Sequence, residues 1–596
     1  MADAGRHPNI ELYTNSTVEE ITGYVGNFRA RIKKRSRFVV EGDCTACGDC
    51  VDVCPVVVPS EFEVGLGSRR AIYQPFPQAV PSAFLIDMDN CLGTNPIACG
   101  KCADACEKQC IDYDMEDENF DVEVGTVVVA TGMEVYDPTE LDEFGYGKHH
   151  NVLTSLEFER LINAGGPTEG HMIRPTDHQQ PKSIAFIQCV GSRTTNGRGN
   201  PYCSNICCMN TVKDSLLIKD HYPDVDVKVF YMDIRAFGKG FEDLYRMSKG
   251  RGTKYIRGIP GEVEELDNGN LLLHVEDTLS GELQQHEVDM VVLAVGTVPR
   301  RDNKTVKRLL TLSTTSDGFF MEAHPKLQPV DAPTRGVFFA GCAEFPKDVK
   351  DSVTQAGAAA ARANILMAQG KIKNQAINAY VDEEACSACG ICGEVCPYHA
   401  IDVDKKDKVK ARVIEASCSG CGTCAAECPL NCISMRHFED QQIYAQIDAI
   451  LKEDPEDKIV AFACNWCSYA GGDGAGTSRL QYPPNVRLVR TMCSGRVDQK
   501  FVLYAFEQGA PLVLVSGCHF ADCHYIDANR WTQRRVERLW NRMEKKDIRP
   551  ERLQLEWISA AEGQKFAKVM GEIEEMRAQV TAEEIVLTKE ALAPHA

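Results

Sequence analysis

The chain is 596 residues long, carries 65 Lys and Arg against 86 Asp and Glu for a formal net charge of −21, and holds 28 cysteines. So acidic a surface repels polyanions and excludes nucleic acid as a partner, while 44% apolar and 25% charged residues are a globular composition. Cysteine at this density in a short secreted chain would mean a disulfide scaffold, but this length suits roughly three or four domains with cores of their own. The start, Met1 to Pro8, has no apolar signal core, and no apolar run is long enough to span a bilayer. The expectation is a cytoplasmic protein without a membrane span, its thiols reduced and available to metals.

In chain order, Ile10-Glu11-Leu12-Tyr13 reads as a strand from the middle of a domain. Cys44-x2-Cys47-x2-Cys50-x3-Cys54-Pro55 then repeats the bacterial ferredoxin spacing, followed by the irregular Cys91-x7-Cys99-x2-Cys102-x3-Cys106, whose first gap is lengthened and whose proline is replaced by Glu107. Three thiolates two residues apart wrap one face of an iron-sulfur cube, and the fourth cysteine of each run ligates the neighbouring cluster. Cys44, Cys47, Cys50 and Cys106 are therefore assigned to one [4Fe-4S] cluster, and Cys91, Cys99, Cys102 and Cys54 to another.

Residues 125–132 and 289–296 read as strands of one sheet, ending in Gly132 and Gly296. Between them lies a β-α-β pattern: a buried strand at 183–187, a helix over 211–221 and a strand at 225–231. Its turn, Gln188-Cys189-Val190-Gly191-Ser192-Arg193, puts a cysteine where a dinucleotide fold places glycine. With Cys203, Cys207 and Cys208 it forms a third group, read as a further cluster in place of a nucleotide; ordinary buried thiols are the alternative. The run 336–341 leads through Gly341 and Cys342 into a small-residue helix at 352–367, the unit that closes over a flavin in two-dinucleotide flavoproteins. No G-x-G-x-x-G follows a strand and opens a helix anywhere in the chain.

The ferredoxin spacing recurs without irregularity at Cys386-x2-Cys389-x2-Cys392-x3-Cys396-Pro397 and Cys418-x2-Cys421-x2-Cys424-x3-Cys428-Pro429. Cross-ligation gives Cys386, Cys389, Cys392 and Cys428 to one cluster and Cys418, Cys421, Cys424 and Cys396 to its neighbour; zinc, which needs only two C-x2-C pairs, is the alternative. Cys110 and Cys432 read as packing thiols. Beyond residue 440, strands at 458–463, 486–491 and 511–516 each run into cysteine: Cys464 and Cys467, Cys493, then Cys518 and Cys523. In a parallel sheet these strand ends share one rim, which gathers five soft ligands for a small cluster or zinc. The charged helix over 531–546 reads as a solvated face or a docking surface.

Over residues 6 to about 435 the chain resembles the A-type subunit of heterodisulfide reductase, entered after that family's first flavin-binding β-α-β unit. The resemblance rests on His7-Pro8-Asn9-Ile10-Glu11-Leu12, Gly23-Tyr24-Val25-Gly26-Asn27-Phe28, Pro75-Phe76-Pro77-Gln78-Ala79-Val80-Pro81, Cys189-Val190-Gly191-Ser192-Arg193, Tyr202-Cys203-Ser204 with Cys207-Cys208, and Pro346-Lys347-Asp348 with Asp351-Ser352-Val353. It implies a [4Fe-4S] cluster on Cys189, Cys203, Cys207 and Cys208 beside a flavin, with Glu157 and Lys213 as the family's flavin-proximal pair. It also implies cofactor contacts from Gly132, Gly296, Gly341, Cys342, Lys347, Asp348 and Ser352. Phe462-Ala463-Cys464-Asn465-Trp466-Cys467, Cys493-Ser494-Gly495-Arg496, Gly517-Cys518-His519 and Asp522-Cys523-His524 resemble the delta subunit of methyl-viologen-reducing hydrogenase, which carries one [2Fe-2S] cluster held by four of these five cysteines.

The fold implied is multidomain α/β: a split thioredoxin-reductase-like flavoprotein with two dicluster ferredoxin modules of α+β type and a C-terminal parallel α/β domain. The boundaries are 1–40 with 116–180 (partial flavin domain), 41–115 (inserted ferredoxin-like module), 181–300 (dinucleotide-type domain), 301–375 (flavin-domain return), 376–440 (second module) and 441–596 (delta-subunit-like domain). The implied function is electron transfer from a hydrogenase or formate dehydrogenase-type donor through the [2Fe-2S] centre to FAD, and on to ferredoxin and a disulfide-reducing partner by flavin-based bifurcation. About five [4Fe-4S] clusters, one [2Fe-2S] cluster and an FAD shared with a separate flavin-domain polypeptide are expected, together with heterodisulfide reductase B/C-like subunits in a dimer of heteromeric units. The alternatives are a non-bifurcating relay in a quinone-interacting or benzoyl-CoA-reductase-type complex, and a metal-binding structural scaffold.

Overall fold

The computed structural model describes residues 2–93, 98–373, 375–520 and 522–592, so the lengthened gap after Cys91 lies largely outside the described residues. β1 (Ser16–Tyr24) and β2 (Asn27–Lys34) form an antiparallel hairpin around Val25-Gly26, with Gly26 at φ +85°, a backbone that glycine adopts without a Cβ penalty. The other edge of β2 pairs with β3 (Glu118–Val124), from Phe28 opposite Val124 to Lys34 opposite Glu118. The chain between β2 and β3 thus leaves and returns at neighbouring strands, which lets the first cysteine module be inserted without disturbing the sheet. Ile10 to Tyr13 is not a strand: Ile10, Leu12 and Tyr13 are exposed and no sheet edge takes them up.

β4 (Val127–Val129) follows β3 directly. Next comes a five-stranded, wholly parallel sheet. Its strands are β5 (Val152–Thr154), followed by helix α1 (Ser155–Leu161); β6 (Ser183–Val190), followed by α2 (Cys207–His221); then β7 (Asp226–Tyr231), β8 (Lys254–Arg257) and β9 (Met290–Val295), in the order β5-β9-β6-β7-β8. The expectation that 125–132 and 289–296 share one sheet is corrected here. All six residues of β9 are buried, the continuous apolar run of an interior parallel strand, and β9 lies between β5 and β6. β4 instead pairs in parallel with β10 (Val337–Phe339), Val127 to Val337 and Val129 to Phe339. After β10 runs the long helix α3 (Val349–Gln369).

The last sheet is again parallel: β11 (Ile459–Cys464), β12 (Val486–Thr491), β13 (Leu512–Gly517) and β14 (Leu553–Trp557), in the order β12-β11-β13-β14. β14 was not anticipated, although Leu553-Gln554-Leu555-Glu556-Trp557 alternates apolar and polar residues as an edge strand does. The helix before it, α4 (Ala528–Glu544), is not simply a solvated face: Thr532, Arg535, Val536, Leu539 and Met543 are buried, the last three in one core with Val460, Phe462, Val489 and Val515. Its apolar stripe was hidden by the surrounding charges. Among the described residues no helix is long and apolar enough to cross a membrane.

Candidate metal-cluster sites

Each ferredoxin-type quartet lines a cavity of its own. Cys44, Cys47, Cys50 and Cys106 face one with Val39, Ile72 and Phe84; Cys54, Cys91, Cys99 and Cys102 face its neighbour with Ile72, Ile86 and Tyr113. In the second module Cys386, Cys389, Cys392 and Cys428 line one cavity, and Cys396, Cys418, Cys421 and Cys424 the other. Cys54, Cys106, Cys396 and Cys428 each line the cavity of the neighbouring triplet, the placement that cross-ligation would require.

The backbone explains how seven residues curl round a cube. The residues flanking the middle cysteine are left-handed in three of the loops: Ala46 (φ +55°) and Gly48 (+98°) around Cys47, Ala388 (+57°) and Gly390 (+83°) around Cys389, Gly420 (+80°) and Gly422 (+79°) around Cys421. The third thiol of each triplet then lies in a short helix: Asp49–Asp52, Lys101–Ala105, Ile391–Glu394 and Thr423–Ala426. Burial, then the neighbouring thiols, pushes Cys50 up to about 12, and burial leads in pushing Cys392 up to about 11 and Cys421 up to about 12. Buried thiols that oppose one another's ionisation fit a cationic iron core, which would make thiolates of them.

The third group sits at the carboxyl ends of the five-stranded sheet, where parallel α/β folds place their ligands. Cys189 (φ +61°) lies in the last turn of β6, and Cys207 and Cys208 open α2. Cys207 Sγ donates to Val295 O at the end of β9 (3.4 Å) and Cys208 Sγ to Asp233 O beyond β7 (3.8 Å). Burial pushes Cys189 up to about 11, with Cys208 and Cys203 adding to it, and raises Cys207 strongly, with Cys208, Cys189 and Cys203 adding to it. Arg193, held by Asp233 at 2.7 Å, points a guanidinium at Cys189 Sγ (4.0 Å) and supplies positive charge there.

Gly341, Cys342, Lys347, Asp348 and Ser352 meet at the start of α3. Lys347 Nζ donates to Gly341 O (2.9 Å), Phe345 O (2.9 Å) and Glu344 Oε2 (2.7 Å), Cys342 Sγ donates to Lys347 O (3.3 Å), and Asp348 caps α3 by accepting from Asp351 N (2.7 Å). Asn205, between Cys203 and Cys207, donates to Pro346 O (2.9 Å) and ties this turn to the third thiol group. Gly132 (φ +80°) faces open space, whereas Gly296 is packed against Ser192 and Ser204 beside the third group.

Glu157 is occupied locally: its carboxylate accepts from Thr154 N (2.6 Å) and from Tyr146 Oη (2.9 Å), closing a capping box at the start of α1. Lys213 pairs instead with Glu159 and with Asp214 (3.0 Å). Sequence reasoning missed both of these carboxylates; the i, i+1 adjacency of Lys213 and Asp214 was the available signal. Asp214 is fully buried, and burial, then Glu159, pushes its carboxyl up to about 7.

In the terminal sheet, Cys464 ends β11, Cys467 precedes the next helix, Cys493 follows β12, and Cys518 and Cys523 follow β13. Cys518 Sγ is 2.7 Å from Cys467 Sγ and 3.8 Å from Cys464 Sγ, and Asn529 Nδ2 clamps the strand end by donating to Cys518 O and His519 O. Cys464, Cys493, Cys518, Cys523 and Tyr525 share one buried core with Tyr398, Ala400 and Cys421 of the second module. Trp466 closes it from outside, stacking on His524 (4.1 Å) and donating to Tyr525 Oη (2.9 Å).

Two family models match the chain: methyl-viologen-reducing hydrogenase, delta subunit, over residues 459–580, and a 4Fe-4S dicluster domain over residues 379–435. The A-type subunit of a ferredoxin/F(420)H(2)-dependent CoB-CoM heterodisulfide reductase from Methanosarcina acetivorans is 44% identical over 574 residues, 96% of this chain and 71% of that protein. The A-type subunit of an H(2):CoB-CoM heterodisulfide,ferredoxin reductase from Methanothermobacter marburgensis is 50% identical over 454 residues, 76% of this chain and 68% of that protein. Among solved structures, Lactococcus lactis thioredoxin reductase covers 50% of this chain and 86% of its own, at 13% identity and a TM-score of 0.27.

Proposed function

The chain belongs to the family of A-type subunits of CoB-CoM heterodisulfide reductases and is part of an oxidoreductase, and from that premise we propose that it is the electron relay between a hydrogenase or formate dehydrogenase-type donor, a flavin, ferredoxin and a disulfide-reducing partner. One observation carries the reading: the terminal thiols and Cys396, Cys418 and Cys421 of the second module are walls of the same buried core. A [2Fe-2S] centre held by four of Cys464, Cys467, Cys493, Cys518 and Cys523 would stand next to the second module.

FAD belongs, in this reading, at the turn formed by Gly341, Lys347, Asp348 and Ser352, beside a [4Fe-4S] cluster on Cys189, Cys203, Cys207 and Cys208. Bound there, the flavin would exchange electrons in pairs with one partner and singly with the clusters. The chain's own residues hold the turn rigid through Lys347 and Asp348 and place the Arg193 charge on the cluster side. A flavin-binding unit on a partner polypeptide would add to β4, whose Val128 is 44% exposed, and cover α3, whose Val349 and Val353 are 80% and 67% exposed. Heterodisulfide reductase B/C-like subunits would complete the assembly.

The test is an anaerobic assay of the native complex, following ferredoxin reduction with and without the disulfide acceptor. Ferredoxin reduction that requires the acceptor supports bifurcation. Reduction indifferent to it leaves a simple relay and overturns the bifurcating form, and a chain holding zinc without acid-labile sulfide overturns the whole proposal.

A further inference from the structure

In both ferredoxin-type modules a ninth cysteine follows the last ligand by four residues, and the fold puts the two in the same place. Cys110 Sγ is 3.4 Å from Cys106 Sγ, and Cys432 Sγ is 3.4 Å from Cys428 Sγ. Each is pinned through its backbone carbonyl, which accepts from Val40 N in the first module and from Asp382 N in the second, both at 2.8 Å and both four residues before the module's first cysteine. Both thiols are buried, and each lines the cavity of one quartet: Cys110 that of Cys44, Cys47, Cys50 and Cys106, Cys432 that of Cys386, Cys389, Cys392 and Cys428.

The sister sites have no such thiol. The position four residues after Cys396 is Ala400, which is buried and offers Cys396 Sγ only its backbone N–H at 3.4 Å, and the position after Cys54 is Val58. A methyl group therefore fills this place in one cluster site of the second module and a thiol fills it in the other, although the local backbones are alike. Packing alone does not call for sulfur.

A cluster that accepts an electron gains negative charge, much of it on its sulfurs, and a hydrogen bond to a ligating sulfur favours that reduced form and raises the potential. We propose that Cys110 and Cys432 are not ligands but protonated thiols that donate S–H hydrogen bonds to Cys106 and Cys428, making those two clusters the higher-potential member of each pair. The inference rests on the cluster reading above and adds a direction to it. In the second module an electron arriving from the terminal centre reaches the Cys396, Cys418, Cys421, Cys424 site and runs downhill to the Cys386, Cys389, Cys392, Cys428 site. Cys110 and Cys432 are positioning residues, acting through the ligands they touch.

The test is an EPR-monitored redox titration of the anaerobically purified full chain as wild type, Cys432→Ala and Cys432→Ser, with iron and acid-labile sulfide measured on the same samples. Cys432→Ala is expected to keep its full iron content while one four-iron cluster becomes about tenfold harder to reduce, about 59 mV for a one-electron couple. Cys432→Ser retains a donor and stays nearer to wild type. An unshifted potential in Cys432→Ala with full iron overturns the donor role. So does loss of one cluster's iron from that variant, which would make Cys432 a ligand. A wild-type chain without iron and sulfide refutes the underlying cluster reading, a result distinct from either.

Discussion

The two ferredoxin-type modules are written in one cysteine spacing and lean on different neighbours. In the second, Glu427, the residue before Cys428, is buried and accepts from Arg535 (2.6 Å) and Arg538 (3.1 Å) of α4, with the Arg535 and Glu427 side chains only 5% and 9% exposed. In the first, Arg160 of α1 clasps Glu63 with two bonds of 2.8 and 3.0 Å, at 15% and 16% exposure. Beyond these clamps the contrast widens. The inner quartet of the second module continues into the terminal thiols through a shared apolar core, whereas the two cavities of the first module share Ile72 with each other. Spacing identifies a cluster site; what the site is packed against decides where its electrons can go. The first module is a satellite inserted between β2 and β3 and clasped by α1, and the second is an inward extension of the terminal sheet.

Breaking the continuity of the second module gives the largest effect. Cys421→Ala should remove about four iron atoms per chain and abolish electron transfer from the terminal centre to the other clusters, read by freeze-quench EPR after mixing with a reduced donor. The same substitution at Cys47 should remove as much iron and leave the terminal centre's exchange with the second module intact.

The clamps rank next. Arg535→Met leaves Glu427 buried without its closest partner and should cost about 3–5 kcal/mol, measured as a fall in the denaturant midpoint of the terminal half. Arg160→Met, at a site more open to water, should cost only about 1 kcal/mol and loosen the first module, read as faster proteolysis between residues 34 and 118. Equal costs at the two clamps would erase the distinction between satellite and extension.

A pH-dependent effect lies on α2, against the five-stranded sheet and beside the α1 that clasps the first module. Asp214 keeps its proton in the folded chain up to about pH 7, while in the unfolded chain it ionises near its ordinary 3.8. The folded state binds the extra proton in that window, so this residue's contribution is fully present below about pH 4 and is lost as pH rises through about 7. Asp214→Asn should flatten that stretch of the thermal-midpoint profile, and an unchanged slope would contradict the burial assigned to Asp214.

The thiol quartets were the most legible part of the chain, because a four-iron core would demand thiols at fixed spacing and that demand is local. All four groups of cysteines that line the cavities could be written down from residue numbers, including the irregular one at Cys91. Strands of nearly uniform apolar character were legible too, as β9, β11 and β13 show. Partnership was not: the valine runs 127–129 and 290–295 look alike in sequence, and only long-range packing sends one to an open two-stranded pair and the other to the middle of a five-stranded sheet. Side-chain allegiance was equally hidden. Glu157 sits in a helix cap and Glu159, two residues on, meets Lys213, a choice that helix phase makes and composition does not reveal. The buried face of α4 escaped notice for a related reason, since Arg535 enters the interior with its charge paired to Glu427, more than a hundred residues away in sequence.

The proposed relay requires that the thiols of the terminal sheet and of the second module hold one connected set of iron-sulfur sites. Mössbauer spectroscopy with iron and acid-labile sulfide analysis on the iron-57-enriched, anaerobically purified chain tests this. Roughly 22 iron atoms per chain are expected, with cubane-type and two-iron signals together. Zinc in place of iron, or iron without the two-iron component, would contradict it.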